Sequence, residues 1–166
     1  MKLSIKQLTL IALLAVILFV QEEVLTFLPN IQLTIFLLVL YGKKLSLKEN
    51  VLIIVIHVLL DNLVMGSFNM LYMPFMLIGW LVIPISLHTI FKEVNDTIPL
   101  AFLGILFSLI YSWLYIIPNV LVLHVNFTHY LMADILFEVV LAGSSFLSIL
   151  LLYEPCSKVF DHLNRS

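Results

Sequence analysis

Long unbroken runs of apolar residues constrain what this chain can fold into more than any other feature of its sequence. Residues 10–20 and 35–41 hold no charged side chain, and comparable runs recur along the chain. Such runs suit a membrane, where every backbone polar group must be paired within a helix or a closed barrel. Barrel strands would alternate apolar and polar residues. The runs therefore predict an all-α membrane protein.

Composition supports this interpretation and excludes other classes. Hydrophobic residues make up 63% of the chain and charged residues 11%, against about a half and a quarter in soluble domains. The net charge of −2 offers no basic face to a nucleic acid. The one cysteine, Cys156, excludes an internal disulfide and a cysteine metal cluster. We expect a single domain over residues 1–166.

Polar and proline-containing breaks divide the chain into six candidate transmembrane helices. Crossing the hydrocarbon takes about 20 apolar residues. The predicted helices cover residues 8–27, 31–42, 51–65, 74–91, 98–117 and 130–153. The second is short, so we expect it to be tilted or extended by the preceding turn.

The positively charged residues predict an orientation. With six spans, all 8 fall in the two termini and in the second and fourth loops: Lys2, Lys6, Lys43, Lys44, Lys48, Lys92, Lys158 and Arg165. Loops rich in Lys and Arg face the cytoplasm. We therefore expect both termini inside, in a bacterial plasma membrane.

The predicted outer half carries acids without bases. Asp61 falls in the third helix, and Asp134 and Glu138 are four residues apart on one face of the sixth. Ionisable groups at membrane depth are costly unless paired or wetted, which makes these acids functional candidates.

Each acid also has a plainer interpretation. Glu22 and Glu23 suit solvent at a helix end, and Asp134 suits the membrane boundary. Asp61 and Glu138 lie deeper, and each suits a structural hydrogen bond between helices. We expect His57, one turn before Asp61, to pair with a neighbour such as that acid rather than to bind a metal.

Polar and aromatic residues accompany the acids. They are Asn30, Gln32, Asn62, Asn69, Tyr72, Trp80, Trp113, Tyr115, Asn119, His124, Asn126 and His129. Together they predict a water-accessible outer cavity lined by acceptors and rings. Such a cavity suits a small neutral or cationic solute that contains a ring.

Enzyme signatures such as HExxH, GxSxG and the Walker lysine are absent, so we predict no enzyme activity, no cofactor and no metal site. Active transport would need a separate subunit to supply energy. Ala12 and Ala15 allow close approach at the first helix, either for internal packing or for docking of a partner.

Several segments resemble the substrate-binding S component of energy-coupling factor (ECF) transporters. They are Leu-Pro-Asn-Ile-Gln-Leu at 28–33, Asp61 followed by Met-Gly-Ser-Phe at 65–68, Pro-Phe-Met-Leu-Ile-Gly-Trp at 74–80, and residues 130–145 followed by Leu-Leu-Tyr-Glu-Pro at 151–155. The likeness spans nearly the whole chain. The alanines are three residues apart, whereas the family often has Ala-x-x-x-Ala.

This resemblance implies a protein that captures a vitamin or related micronutrient and joins a transmembrane coupling subunit and two ATPases. It implies docking through the first-helix alanines and an outer pocket formed by Asn30, Asp61, Asn69, Trp80, Asp134 and Glu138. An acidic lining without Lys or Arg disfavours a polyanion such as folate. It favours a thiamine precursor, a pyridoxine-type ring or a cobalamin-related compound.

A different class shares the length and helix count. The sequence also resembles MreD, a membrane scaffold of the bacterial cell-shape machinery, which carries a proline after its first helix and an Asp-and-Gly ending to its third. A scaffold would bind no small solute. The cluster of acids and rings favours the transporter.

Overall fold

The computed structural model describes residues 4–64 and 70–163, and these form helices and connecting turns without a strand. The helices are α1 (Ile5–Val24), α2 (Thr34–Lys44), α3 (Leu47–Val64), α4 (Met73–His88), α5 (Thr97–Leu114) and α6 (Phe127–Leu163). A π-helical segment, Ile117–Val122, follows α5. The predicted all-α fold with six helices is confirmed. The predicted end of the third helix, at 65, lies outside the described residues.

Three of the helices are long and apolar enough to cross a membrane. These are α1, α5 with its π-helical continuation (Thr97–Val122), and α6. The helix α4 is apolar but shorter. By length and composition the chain thus has the helices of a membrane protein. That all six helices span stays a prediction.

The short helix α2 lies at the centre of the bundle. All residues from Thr34 to Gly42 are buried, and α2 contacts every other α-helix. Its 11 residues extend about 16 Å, well short of the roughly 30 Å hydrocarbon layer. Protein surrounds α2, so the backbone N–H and C=O groups of the non-helical segment before it can form hydrogen bonds with neighbouring helices. Leu33 N, for example, donates to Gln21 Oε1 at 2.8 Å.

The helix α6 extends beyond the predicted end at residue 153. It begins at Phe127, where the Asn126 side chain accepts from two backbone N–H groups of the first turn. It continues past Pro155 because its last turns are held by tertiary contacts. Lys44 pairs with Asp161 at 2.7 Å, and the Tyr41 and Phe160 rings are in contact.

The helices alternate in direction, which separates two ends of the bundle. The end at which α1, α3 and α5 finish and α2, α4 and α6 begin is called the acidic end. The opposite end of the bundle is called the basic end. Lys43 and Lys44 contact the last turns of neighbouring segments at the basic end. Glu22, Asp61 and Asp134 lie toward the acidic end.

Candidate functional site

The turn between α1 and α2 brings two amide side chains into the acidic end. Asn30 has a φ of 58°, a left-handed conformation that asparagine tolerates better than most residues. Gln32 is tied to α6, because its backbone N–H and carbonyl both pair with Ser144 Oγ, at 3.3 and 3.1 Å. Both residues are half-buried. The turn therefore forms a wall of the site.

Two adjacent cavities open beside this turn. The first, about 240 Å³, is lined by Glu22 and Leu25 of the α1 end, by the turn and by Tyr111. The second, about 310 Å³, is lined by the turn, Tyr111, Tyr115, Tyr130 and Asp134. They share Asn30, Gln32 and Tyr111. We call the two cavities together the acidic-end site.

A pair of stacked rings backs the site. The Trp80 and Tyr111 rings are 3.8 Å apart between centroids and only 14° from parallel. Gly79 makes this approach possible, since a Cβ there would lie 2.7 Å from Tyr111 Cδ2. The hydroxyls of Tyr111 and Tyr115 are 2.9 Å apart. The helices α4 and α5 thus present a rigid aromatic wall.

An imidazole and a carboxylate meet behind the first cavity. His57 Nε2 lies 3.2 Å from Glu22 Oε2, but the two are not aligned as a hydrogen bond. The His57 side chain is fully buried, and that of Glu22 is 19% exposed. Asp61 interacts electrostatically with both. The ion-pair contact of His57 is therefore with Glu22 rather than with Asp61, and Glu22 is not a solvated helix-end residue.

Buried polar atoms without a partner concentrate toward this end. Among the described residues they include Glu22 Oε2, Glu23 Oε1, both ring nitrogens of His57, Trp80 Nε1 and Glu138 Oε1. A buried polar atom left unpaired costs about 1–3 kcal/mol. A bound polar molecule could form hydrogen bonds with these atoms and so offset that cost.

Two of the predicted site residues line the acidic-end site, and two more lie near Tyr111 without lining a cavity. Asn30 and Asp134 line the same cavity. Trp80 lines neither cavity, but its ring stacks on Tyr111, which lines both. Asp61 lies within electrostatic range of Tyr111, as does Glu22.

Two predicted site residues fall elsewhere. Glu138 lines a separate, largely apolar cavity of about 310 Å³ with Trp113, Phe127 and other residues of α5 and α6. Asn69 lies outside the described residues. Of the two first-helix alanines, Ala12 is exposed and Ala15 is fully buried inside the bundle. They therefore do not form one exposed face, and docking through Ala12 stays a prediction.

Sequence reasoning missed Tyr111, which lines both cavities and carries the ring stack. Its spacing of four from Tyr115 was the available signal, because that spacing places two side chains on one helix face. A second tyrosine in an apolar helix is easily taken for packing.

In the described ranges, no group of three or more His, Cys, Asp and Glu side chains is arranged to hold a metal ion. Carboxylates, amides, phenols and an indole converge instead. No family model, no curated protein and no solved structure matches this chain.

Proposed function

We propose that this protein is a membrane-embedded solute-binding subunit, an S component of an ECF-type transporter, and that the acidic-end site captures a vitamin-like compound. The observation that carries the proposal is the pair of adjacent cavities sharing Asn30, Gln32 and Tyr111. Their combined extent suits a small molecule with one or two rings.

The lining defines the class of solute. Tyr111 and Tyr115 supply ring faces, and the amides of Asn30 and Gln32 supply both donors and acceptors. Glu22 and Asp134 place acceptor oxygens in the two cavities. No Lys or Arg of the described chain lies at this end, so a neutral or cationic ring compound is favoured over a polyanion.

The proposed topology follows from the two ends of the bundle. All six segments cross the membrane, α2 together with the non-helical residues that precede it, the basic end faces the cytoplasm and the acidic end faces outward. The sequence holds no ATPase motif. Uptake therefore depends on a transmembrane coupling subunit and two ATPases, with Ala12 on the exposed face of α1 as a candidate contact.

Tryptophan fluorescence tests the site directly, because the chain has only 2 tryptophans. Trp80→Phe and Trp113→Phe each leave one reporter. A panel of B vitamins and their precursors is titrated into each variant in lipid nanodiscs. We expect at least one neutral or cationic ring compound to quench Trp80 in the Trp113→Phe variant, and to leave the Trp80→Phe variant unchanged.

Folate is the informative anion in this panel. Tight folate binding that persists in a Glu22→Gln, Asp134→Asn double variant would contradict the proposed solute class. Quenching by no compound in the panel would contradict a vitamin site.

Co-purification from native membranes in mild detergent tests the assembly. Recovery of two ATPases and a coupling subunit supports the transporter. Recovery of cell-wall synthesis proteins would favour the MreD-like scaffold instead, and the acids would then need a structural explanation.

A further inference from the structure

We infer that Glu22 and Asp61, backed by His57, form a subsite for a positively charged nitrogen of the solute. This rests on the proposed function and narrows it from a neutral or cationic compound to an organic cation. The three residues come from α1 and α3, which pack together along the bundle.

The first argument is an imbalance of charge. Three carboxylates, Glu22, Glu23 and Asp61, interact within this part of the bundle. His57 is the one basic group among them, and it carries at most one positive charge. Buried charges without opposite partners are strongly disfavoured. The empty site therefore lacks positive charge.

The second argument is the state of His57. It is fully buried, its Nε2 is 3.2 Å from Glu22 Oε2, and neither ring nitrogen has a hydrogen-bond partner. A satisfied core histidine would have a carbonyl or carboxylate in line with at least one nitrogen. The acid cluster thus contains a buried imidazole that touches Glu22, while neither of its ring nitrogens has a hydrogen-bond partner.

The third argument is access. Glu22 lines the first cavity together with Tyr111. A cation held at the Glu22 carboxylate would share the cavity with the Tyr111 ring, and aromatic rings attract cations. A carboxylate beside an aromatic ring suits an organic cation, an ammonium or a protonated ring nitrogen.

The titratable groups around His57 come from α1, α3 and α5. From α1 they are Glu22 and Glu23. From α3 itself there is Asp61. The helices α2 and α4 place no charged side chain at this depth in the described residues, and α5 contributes the phenols Tyr111 and Tyr115.

Pyridoxamine and pyridoxine form a matched pair of probes, since one carries an ammonium where the other carries a hydroxyl. Their affinities are compared by calorimetry in nanodiscs at pH 7, for the native protein, for Glu22→Gln and for Glu93→Gln. Glu93→Gln removes an equal charge from an exposed turn at the basic end. We expect the native protein to bind pyridoxamine at least about tenfold more tightly than pyridoxine, a difference of about 1.4 kcal/mol.

Glu22→Gln should bring that ratio close to one, and Glu93→Gln should leave it unchanged. Equal affinities, tighter binding of pyridoxine, or binding of neither at millimolar concentration would overturn the inference. Equal affinities together with quenching of Trp80 would overturn the cation subsite and leave the proposed solute-binding function standing. A preference for the cation without co-purifying ATPases would support the subsite and contradict the proposed transporter.

Discussion

The two ends of the bundle treat buried polar groups in opposite ways. At the basic end, Asn50 Nδ2 donates to the carbonyls of three residues, at 3.0 to 3.4 Å. The ring nitrogens of His88 lie 2.7 and 3.2 Å from two carbonyls. Lys43 Nζ donates to the carbonyls of Phe91 and Lys92, at 2.9 and 3.1 Å. These groups close helix ends.

At the acidic end the corresponding groups are left open. His57 is as buried as Asn50, with both side chains fully enclosed, yet its ring nitrogens have no aligned partner. Trp80 Nε1 and a Glu22 oxygen are likewise unpartnered. Among the described residues, Asn50 Oδ1 is the one such atom at the basic end. Apart from that oxygen, the groups named at the basic end are paired, whereas those named at the acidic end keep free the donors and acceptors that the proposed binding site would use.

The largest expected effect comes from Gly79→Ala. Its new Cβ would meet the Tyr111 ring at 2.7 and 3.3 Å and force the Trp80–Tyr111 stack apart. Overpacking of this kind costs about 1–3 kcal/mol, and the aromatic wall would shift as well. We expect both a lower melting temperature and loss of solute-induced Trp80 quenching.

Gly143→Ala is the matched control, because nothing lies within 4 Å of a Cβ at that position of α6. It should leave binding unchanged. Equal behaviour of the two alanine variants would show that the stack is not constrained by Gly79.

Asn50→Leu should lower the free energy of unfolding by about 2 kcal/mol, since it removes three donated bonds that join the end of α2 to α3. Denaturation by SDS titration measures this. Binding per folded molecule should not change. A loss of affinity at unchanged stability would contradict the division between the two ends.

Glu22→Gln should raise the free energy of unfolding, whereas Asn50→Leu lowers it. Removing one of several crowded acids relieves repulsion from Glu23 and Asp61, so we expect the protein to gain about 1 kcal/mol while losing its preference for a cation. The melting temperature without solute measures the gain. A drop in stability would mean that the contact with His57 is a structural ion pair.

Lys44→Gln should have the smallest effect, below about 1 kcal/mol, because its partner Asp161 is half exposed and such pairs are screened. Thermal unfolding in low and high salt checks it, with Asp161→Asn as the reciprocal variant. A large loss would mean that the end of α6 supports the whole basic end.

Much of the fold was accessible from the sequence. Apolar runs separated by prolines and charges located all six helices, because helix length and helix breaks are local properties. The residues at which the helices begin and end were less predictable. The helix α6 passes Pro155 because Asp161 and Phe160 find partners on α2, and no local pattern contains those contacts.

The sequence by itself determined an all-helical chain in which Glu22, Asp61 and Asp134 lie at one end and the Lys and Arg residues of the described ranges lie away from it. Charge placement and hydrophobic runs can be read residue by residue. The tertiary structure decided which residues meet. It enclosed α2, turned Asn30 and Gln32 into a wall, stacked Trp80 on Tyr111 through the gap left by Gly79, and placed His57 against Glu22 instead of Asp61. Helix rotation and depth depend on packing between distant segments, and a single sequence does not encode them in any local pattern.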